Sequence, residues 1–166
     1  YISNDGYKNN PMNMHQSFLL LAALCCAPFA AQAHGDACPN NLLIHPDSSD
    51  ITLIDFGFFG LQPVGFDLTQ LLVGEVQLGR RPASALSADE PVALSAYVRG
   101  LLDEGQSLTE REVRRSHALL MMVFCGLSAY PFELLDQPVT PATVAIATER
   151  AHLAGFILDL VEATTE

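Results

Sequence analysis

Three oxygen-bearing side chains lie within one short stretch of this 166-residue chain. Asp36 precedes Asn41 by five residues, and Asp55 follows Asn41 by 14. Carboxylate and carbonyl oxygens are the hard ligands that Mg²⁺ selects, so Asn41 and Asp55 could share a metal ion. Asp36 could then take the proton of an attacking hydroxyl. Phosphoryl transfer needs a metal ion on the phosphate and a carboxylate base beside the acceptor hydroxyl. These residue types and spacings therefore predict a phosphoryl-transfer site.

A β-hairpin is predicted between Asn41 and Asp55. The short apolar runs "NLLIH" and "ITLID" are separated by "PDSSD", whose Pro, Asp and Ser residues favour a turn. Antiparallel pairing brings the two open ends of a hairpin together, so Asn41 and Asp55 are expected to be neighbours. Taken singly, Asp36 and Asn41 could instead be turn and capping residues, and Asp55 the polar end of a buried strand.

The motifs around these residues resemble those of a known enzyme family. "HGDACPNN" resembles the H-G-D-x-x-x-x-N catalytic loop of the aminoglycoside phosphotransferase and choline kinase-like family, and "LIDFG" resembles its metal-binding I-D-[FW] motif. "GFDLTQLL" is similar to its downstream D-L-x-x-L-L helix. The resemblance implies that Asp36 is the catalytic base, that His34 orients the loop and that Asp67 braces it. It also implies that Asn41 and Asp55 bind Mg²⁺ and, through it, ATP.

The resemblance covers residues 20 to 130 and implies the C-terminal lobe of a protein kinase-like fold. Gly35 stands where protein kinases carry Arg and Cys38 where they carry Lys, and both differences favour small-molecule kinases. Such enzymes hold ATP against an N-terminal lobe that supplies a phosphate-covering loop and a lysine. Lys8, the only lysine, lies in an Asn-rich stretch without a strand pattern. We therefore expect an α+β, mostly α lobe of catalytic loop, hairpin and helical block, without its N-terminal lobe.

The segments after the hairpin are predicted to be a loop and then helices. "GFFGLQPVG" is typical of a Gly/Pro loop. "FDLTQLLVGEVQ" is typical of a helix, with five apolar residues on or near one face: Phe66, Leu68, Leu71, Leu72 and Val76. The last helix is expected to begin at Thr140-Pro141, which supplies an N-cap and a first-turn proline.

Two further helices are predicted from capping signatures. Ser87 and Glu90 fit the S-x-x-E capping box and would start a helix that stops at Gly105. Thr109 and Glu112 repeat the signature and would start the next.

The charge and the cysteine content of the chain argue against several kinds of partner and site. The net charge is −11 with only eight basic residues, which argues against nucleic acid, because binding to a phosphate backbone needs clustered Lys and Arg. The four cysteines show neither C-x-x-C spacing nor a paired framework, so neither a zinc site nor a disulfide scaffold is indicated. We assign no histidine to a metal, and we expect no membrane partner.

The first 33 residues allow two interpretations. Residues 1–16 read as a disordered tail, which leaves 17–166 as the kinase-like lobe. Residues 17–33 combine a short apolar run with an A-x-A pattern, as in a secretory signal whose cleavage would make His34 the new N-terminus. An Ala/Leu helix from about residue 17 to 27, broken at Pro28, is the preferred interpretation. It favours a cytoplasmic protein over a secreted one.

Three functions are therefore open. The first is an ATP- and Mg²⁺-dependent phosphotransferase that acts on a hydroxyl of a small molecule and works with a missing N-terminal lobe or a dimer partner. The second is a catalytically inactive lobe that acts as a binding or remnant domain, and the third is a secreted acidic domain. By resemblance, the helices after Gly79 line the acceptor pocket. Six acids between Asp89 and Glu112 would suit an aminoglycoside-like or amino-alcohol acceptor, although helix N-termini ordinarily carry such acids.

Overall fold

The structure, a computed structural model, describes residues 29–48, 50–77, 79–126 and 129–165. The predicted tail at 1–16 and the predicted helix at 17–27 lie outside these residues. The described chain is a mostly helical α+β structure with two small sheets, which confirms the predicted class.

The hairpin is present where the sequence predicts it. Strands β2 (Leu42–Ile44) and β3 (Ile51–Leu53) pair antiparallel, with Leu42 opposite Leu53. One step beyond this pair, the Ile54 N–H donates to the Asn41 carbonyl oxygen at 3.1 Å. The hairpin therefore places Asp55 one residue past the partner of Asn41, at its open end.

A second antiparallel pair joins β1 (Ala30–Ala33) to β4 (Gly60–Pro63). The prediction of a Gly/Pro loop was wrong for residues 60–63, and β1 was not predicted. Ala, Gly and Pro are poor strand formers, so neither segment carries a local strand signal. Tertiary pairing decides their conformation instead, and the Val64 N–H extends it by donating to the Phe29 carbonyl oxygen at 3.0 Å.

Four α-helices follow in the described residues, and short 3₁₀ helices connect several of the elements. The α-helices are α1 (Phe66–Gln77), α2 (Leu86–Asp103), α3 (Glu110–Cys125) and α4 (Pro141–Thr165). The 3₁₀ helices are Pro39–Asn41, Phe56–Phe58, Ala83–Ala85 and Phe132–Leu134.

Most helix ends follow the predicted signals. Thr109 and Glu112 form both hydrogen bonds of the predicted capping box of α3. Thr140 accepts a hydrogen bond from the Thr143 N–H at 3.2 Å, as expected for the cap of α4. Gly105 adopts φ +79° just after α2, where a residue without a side chain fits the left-handed conformation that ends many helices.

The predicted capping box of α2 was wrong. Its N-cap is Ala85, which makes no side-chain cap bond and closes the preceding 3₁₀ turn. Glu90 is only 3% exposed and lies 3.4 Å from the Arg114 guanidinium instead of bonding the helix start. The sequence signature is the same as at α3, but a buried partner for Glu90 replaces the local cap.

Helix α1 lies at the centre of the core and packs against both α2 and α3. Its buried stripe includes Leu68, Leu72, Val73 and Val76. Leu71, predicted on or near this stripe, is 38% exposed because it borders the groove between α1 and α2. Among the described residues, no helix is both long enough and apolar enough to cross a membrane.

Candidate active site

The loop that follows β1 turns sharply at Gly35. Gly35 has φ +83°, a conformation that L side chains rarely adopt. A Cβ atom at this position would also collide with the backbone carbonyl of Phe58. Glycine is therefore required twice, for the backbone conformation and for the close approach of the 3₁₀ turn at Phe56–Phe58.

Asp67 holds the start of this loop. It lies in the first turn of α1, and its two carboxylate oxygens accept from two consecutive backbone amides. The His34 N–H donates to Oδ2 at 2.8 Å and the Gly35 N–H to Oδ1 at 2.9 Å. Hydrogen bonds to a charged acceptor are stronger than neutral ones, so this pair fixes the loop relative to α1.

The ring of His34 connects the loop to the end of β3. The side chain is 5% exposed, its Nε2 lies 2.9 Å from the Ile54 carbonyl oxygen, and its Nδ1 accepts from the Asp36 N–H at 3.3 Å. These partners match the neutral ring with its proton on Nε2. Phe56 packs beside it, with ring centroids 4.6 Å apart. His34 thus joins the residue before Asp55 to Asp36.

Asp36 and Asn41 are in direct contact. The Asn41 side-chain amide donates to the Asp36 backbone oxygen at 2.8 Å and to its carboxylate Oδ2 at 3.0 Å. Asn41 is nearly buried, at 9% exposed, and its amide nitrogen is committed to Asp36. The carbonyl oxygen is therefore the atom of Asn41 that could face a metal ion, and Oδ1 is the oxygen of Asp36 without this bond.

Asp55 is exposed and has an unusual backbone. Its φ of +62° is the only positive value of a non-glycine in the described residues. Aspartate tolerates this left-handed region better than most side chains, but such conformations still store strain and cluster at functional sites. The 3₁₀ turn that begins at Phe56 follows directly.

Oxygen atoms of the kind that divalent cations prefer lie on the loop and after the hairpin. They are the Asp36 carboxylate and the Asn41 carbonyl oxygen on the loop and the exposed Asp55 carboxylate after the hairpin, whereas both carboxylate oxygens of Asp67 accept from backbone amides. No group of three or more His, Cys, Asp or Glu side chains in the described part of the chain could hold a metal ion. A metal held by one amide oxygen and one carboxylate must therefore take its other ligands from substrate phosphates and water, as Mg²⁺ commonly does.

Several contacts of the loop have no signal in the sequence. Ile54 and Phe58 contribute backbone carbonyls, to the His34 ring and against Gly35, so their side-chain types carry no information about these roles. The "LIDFG" motif contains Phe56 but indicates no role for it, although Phe56 packs on His34. Only the motif that it completes could have indicated this position.

Comparison with known proteins identifies one family. The phosphotransferase enzyme family matches residues 26–106, a segment that contains the loop, the hairpin, α1 and α2. No curated protein and no solved structure is significantly similar to the chain. The match confirms the family resemblance noted in the sequence, and residues 26–106 thus carry the signature of the phosphotransferase enzyme family.

Proposed function

We propose that this chain provides the catalytic loop of an ATP- and Mg²⁺-dependent phosphotransferase that acts on a hydroxyl of a small molecule. The observation that carries the proposal is the hydrogen-bonded loop itself. Asp67, His34 and Asn41 each bond a backbone or side-chain atom of the turn that presents Asp36. A turn and a strand end with only structural roles would not need this set of polar side chains.

Asp36 is the proposed acceptor of the proton. Its Oδ2 takes a hydrogen bond from Asn41, which leaves Oδ1 to accept from the hydroxyl of the substrate. Because Asn41 also bonds the Asp36 backbone, the carboxylate is held in one direction before the substrate arrives. Such positioning supplies much of the catalysis in phosphoryl transfer, where the protein does little covalent chemistry.

Asn41 and Asp55 are the proposed metal ligands. The Asn41 carbonyl oxygen and the exposed Asp55 carboxylate would hold Mg²⁺ against the phosphates of ATP. The metal would neutralise the charge that develops on the transferred phosphoryl group. His34 keeps the two halves of this site together, since its ring bonds both Asp36 and the carbonyl of Ile54.

The acids between Asp89 and Glu112 do not define the chemical class of the small molecule that carries the acceptor hydroxyl. Four of the six acids that suggested a cationic acceptor have partners within the chain. Asp89 binds Arg81, Glu90 and Glu110 both bind Arg114, and Glu112 caps α3 at Thr109. Asp103 and Glu104 are at the far end of α2. These acids therefore give little support to an aminoglycoside-like or amino-alcohol acceptor.

A binding domain without catalysis is the second candidate, and the surface of the hairpin favours it. Many large apolar side chains between residues 43 and 61 are exposed: Leu43, Ile44, Ile51, Leu53, Ile54, Phe56, Phe58, Phe59 and Leu61. Contiguous apolar surface on a protein commonly marks an interaction site. In a kinase-like enzyme the hairpin surface would face the nucleotide and the N-terminal lobe. The same apolar surface is therefore also compatible with a phosphotransferase.

Turnover by the full chain distinguishes the two candidates. We would measure transfer of the γ-phosphoryl group of ATP, with Mg²⁺, to choline, an aminoglycoside and simple alcohols. Asp36→Asn should lower kcat by about 10²- to 10⁴-fold, the usual contribution of a positioned general base. Asp47→Asn, an exposed aspartate of the hairpin turn, is the matched control and should leave kcat unchanged. Turnover that is equal in both variants would contradict the role of Asp36, and absence of turnover in wild type would favour the binding domain.

A further inference from the structure

The start of α1, which carries Asp67, is itself held by polar side chains from two other helices. Tyr97 of α2 accepts a hydrogen bond from the Gly65 N–H at 3.1 Å. Ser116 of α3 donates to the Val64 carbonyl oxygen at 2.5 Å. Both bonds end on the two-residue turn, Val64–Gly65, that directly precedes α1.

His117 of α3 makes the third contact with this region. Its Nδ1 lies 2.9 Å from the Thr69 hydroxyl, which in turn donates to the Gly65 carbonyl oxygen at 3.2 Å. A hydroxyl has one proton to donate, so the Nδ1–H of His117 donates to Thr69 in this network. A Cβ atom on Gly65, which has φ +90°, would lie only 3.0 Å from the His117 Cβ. The turn and α3 are therefore packed as closely as their atoms allow.

Core packing alone does not explain these side chains. Ser116 and His117 are 2% and 0% exposed, and burial of a polar group costs free energy unless it is hydrogen-bonded. Within the described part of the chain, the Nε2 atom of His117 has no hydrogen-bond partner, so its burial carries a free-energy cost that no hydrogen bond offsets. An apolar side chain would fill the same space without it. What the polar side chains contribute is a fixed direction for the turn and for the first residues of α1.

We propose that Ser116 and His117 are positioning residues for the candidate active site. They fix the Val64–Gly65 turn, and the turn sets the direction in which Asp67 presents its carboxylate to the catalytic loop. Both residues lie beyond the segment 26–106 that the family matches. The site would then depend on α3, outside the matched segment. The catalytic meaning of this positioning rests on the proposed function, but the positioning itself can be tested without turnover.

The amide protons of His34 and Gly35 report on Asp67 directly, because each donates to one oxygen of its carboxylate. We would record their NMR chemical shifts and hydrogen-exchange rates in the full chain. In Ser116→Ala and His117→Leu, both resonances should move upfield and exchange should become at least tenfold faster. In His117→Asn, whose side-chain amide can still donate to Thr69, both signals should stay near their wild-type values.

A variant of similar cost elsewhere in the core controls for general loosening. Ile157→Val on α4 removes one buried methylene, and Ile157 is 2% exposed. The free-energy cost of this change is of the same order as that of losing one hydrogen bond. It should not move the two amide resonances. Should His117→Leu not fold, Ser116→Ala and Tyr97→Phe carry the test, since each removes a single hydrogen bond.

Unchanged His34 and Gly35 resonances in folded Ser116→Ala would overturn the inference whatever Tyr97→Phe shows, and so would equal shifts in Ile157→Val. If turnover is found, Ser116→Ala should lower kcat about tenfold with the acceptor KM unchanged, since outer partners of a site typically contribute 10- to 100-fold. A chain without turnover but with the predicted NMR shifts would reject the proposed function and keep the positioning.

Discussion

At the scale of single residues, Gly35 gives a steric reason for one departure from the protein kinases. By resemblance, Gly35 stands where those enzymes carry Arg. In the structure, φ is +83° and the Phe58 carbonyl occupies the space of a Cβ atom. An arginine would therefore need both a different turn and a displaced 3₁₀ segment. The difference belongs to the architecture of the loop and is not an isolated substitution.

His117 makes the stability of the fold depend on pH. Burial, and to a lesser degree the charge of Arg114, lowers the pKa of His117 from 6.5 to about 4, although the Gly65 carbonyl opposes this. Below pH 6.5 the unfolded chain therefore binds a proton that the folded chain does not, so stability falls as the pH falls. At 1.36 kcal/mol per pH unit, the contribution of His117 to the free energy of unfolding should fall by about 2 kcal/mol between pH 7 and pH 5.

Urea unfolding of wild type and His117→Asn at both pH values measures this contribution. The variant lacks the titrating ring. Between pH 7 and pH 5 its free energy of unfolding should therefore fall by about 2 kcal/mol less than that of wild type. Carboxylates contribute to the pH dependence of both proteins and cancel in the difference. Parallel pH profiles for the two proteins would show that His117 is not held neutral by the fold.

At the scale of elements, α2 and α3 carry the same four-residue signature but begin differently. Thr109 and Glu112 bond each other's backbone amides at the start of α3. At α2, Glu90 points into the protein toward Arg114, and burial raises its pKa above the usual value despite the arginine's charge. A capping signature reports a local preference, and a buried partner from another helix can override it.

The two signatures should respond differently to truncation. Thr109→Ala removes the acceptor of the Glu112 N–H and should lower the free energy of unfolding by about 1 kcal/mol. Ser87→Ala is the matched control, because Ser87 follows the true start of α2 and makes no cap; its change should be close to zero. Chemical denaturation of both variants provides the comparison. A loss at Ser87 as large as that at Thr109 would restore the predicted cap of α2.

Elements with local signals could be predicted from the sequence, and those formed by distant pairing could not. The hairpin has a turn cluster between two apolar runs, and α1, α3 and α4 have periodicity or caps. Strands β1 and β4 consist largely of residues that rarely form strands, and only their pairing with each other identifies them as strands. The same holds within the site. The three sequence motifs point to Asp36, Asn41, Asp55 and Asp67, whereas the support from α3 depends on contacts across more than 40 residues.

At the scale of the whole molecule, the candidate active site belongs to a strongly acidic chain. The net charge is −11, and Asp36, Asp55 and Asp67 add local negative charge at the loop. Such a surface attracts cations and repels free phosphate groups. A nucleotide is therefore expected to approach as its Mg²⁺ complex, in which the metal offsets part of the repulsion. Metal binding is thus the first event on which the proposed function depends.

Titration with Mn²⁺, followed by water proton relaxation, tests this central claim most directly. Wild type should bind Mn²⁺ weakly, because the chain offers few ligands and the rest are water. Asp55→Ala should abolish binding, whereas Asp36→Ala should retain most of it, since Asp36 faces the acceptor hydroxyl in this account. Asp47→Ala is the control for loss of one exposed carboxylate. Equal loss in Asp36→Ala and Asp55→Ala, or no binding by wild type, would contradict the proposed division of roles.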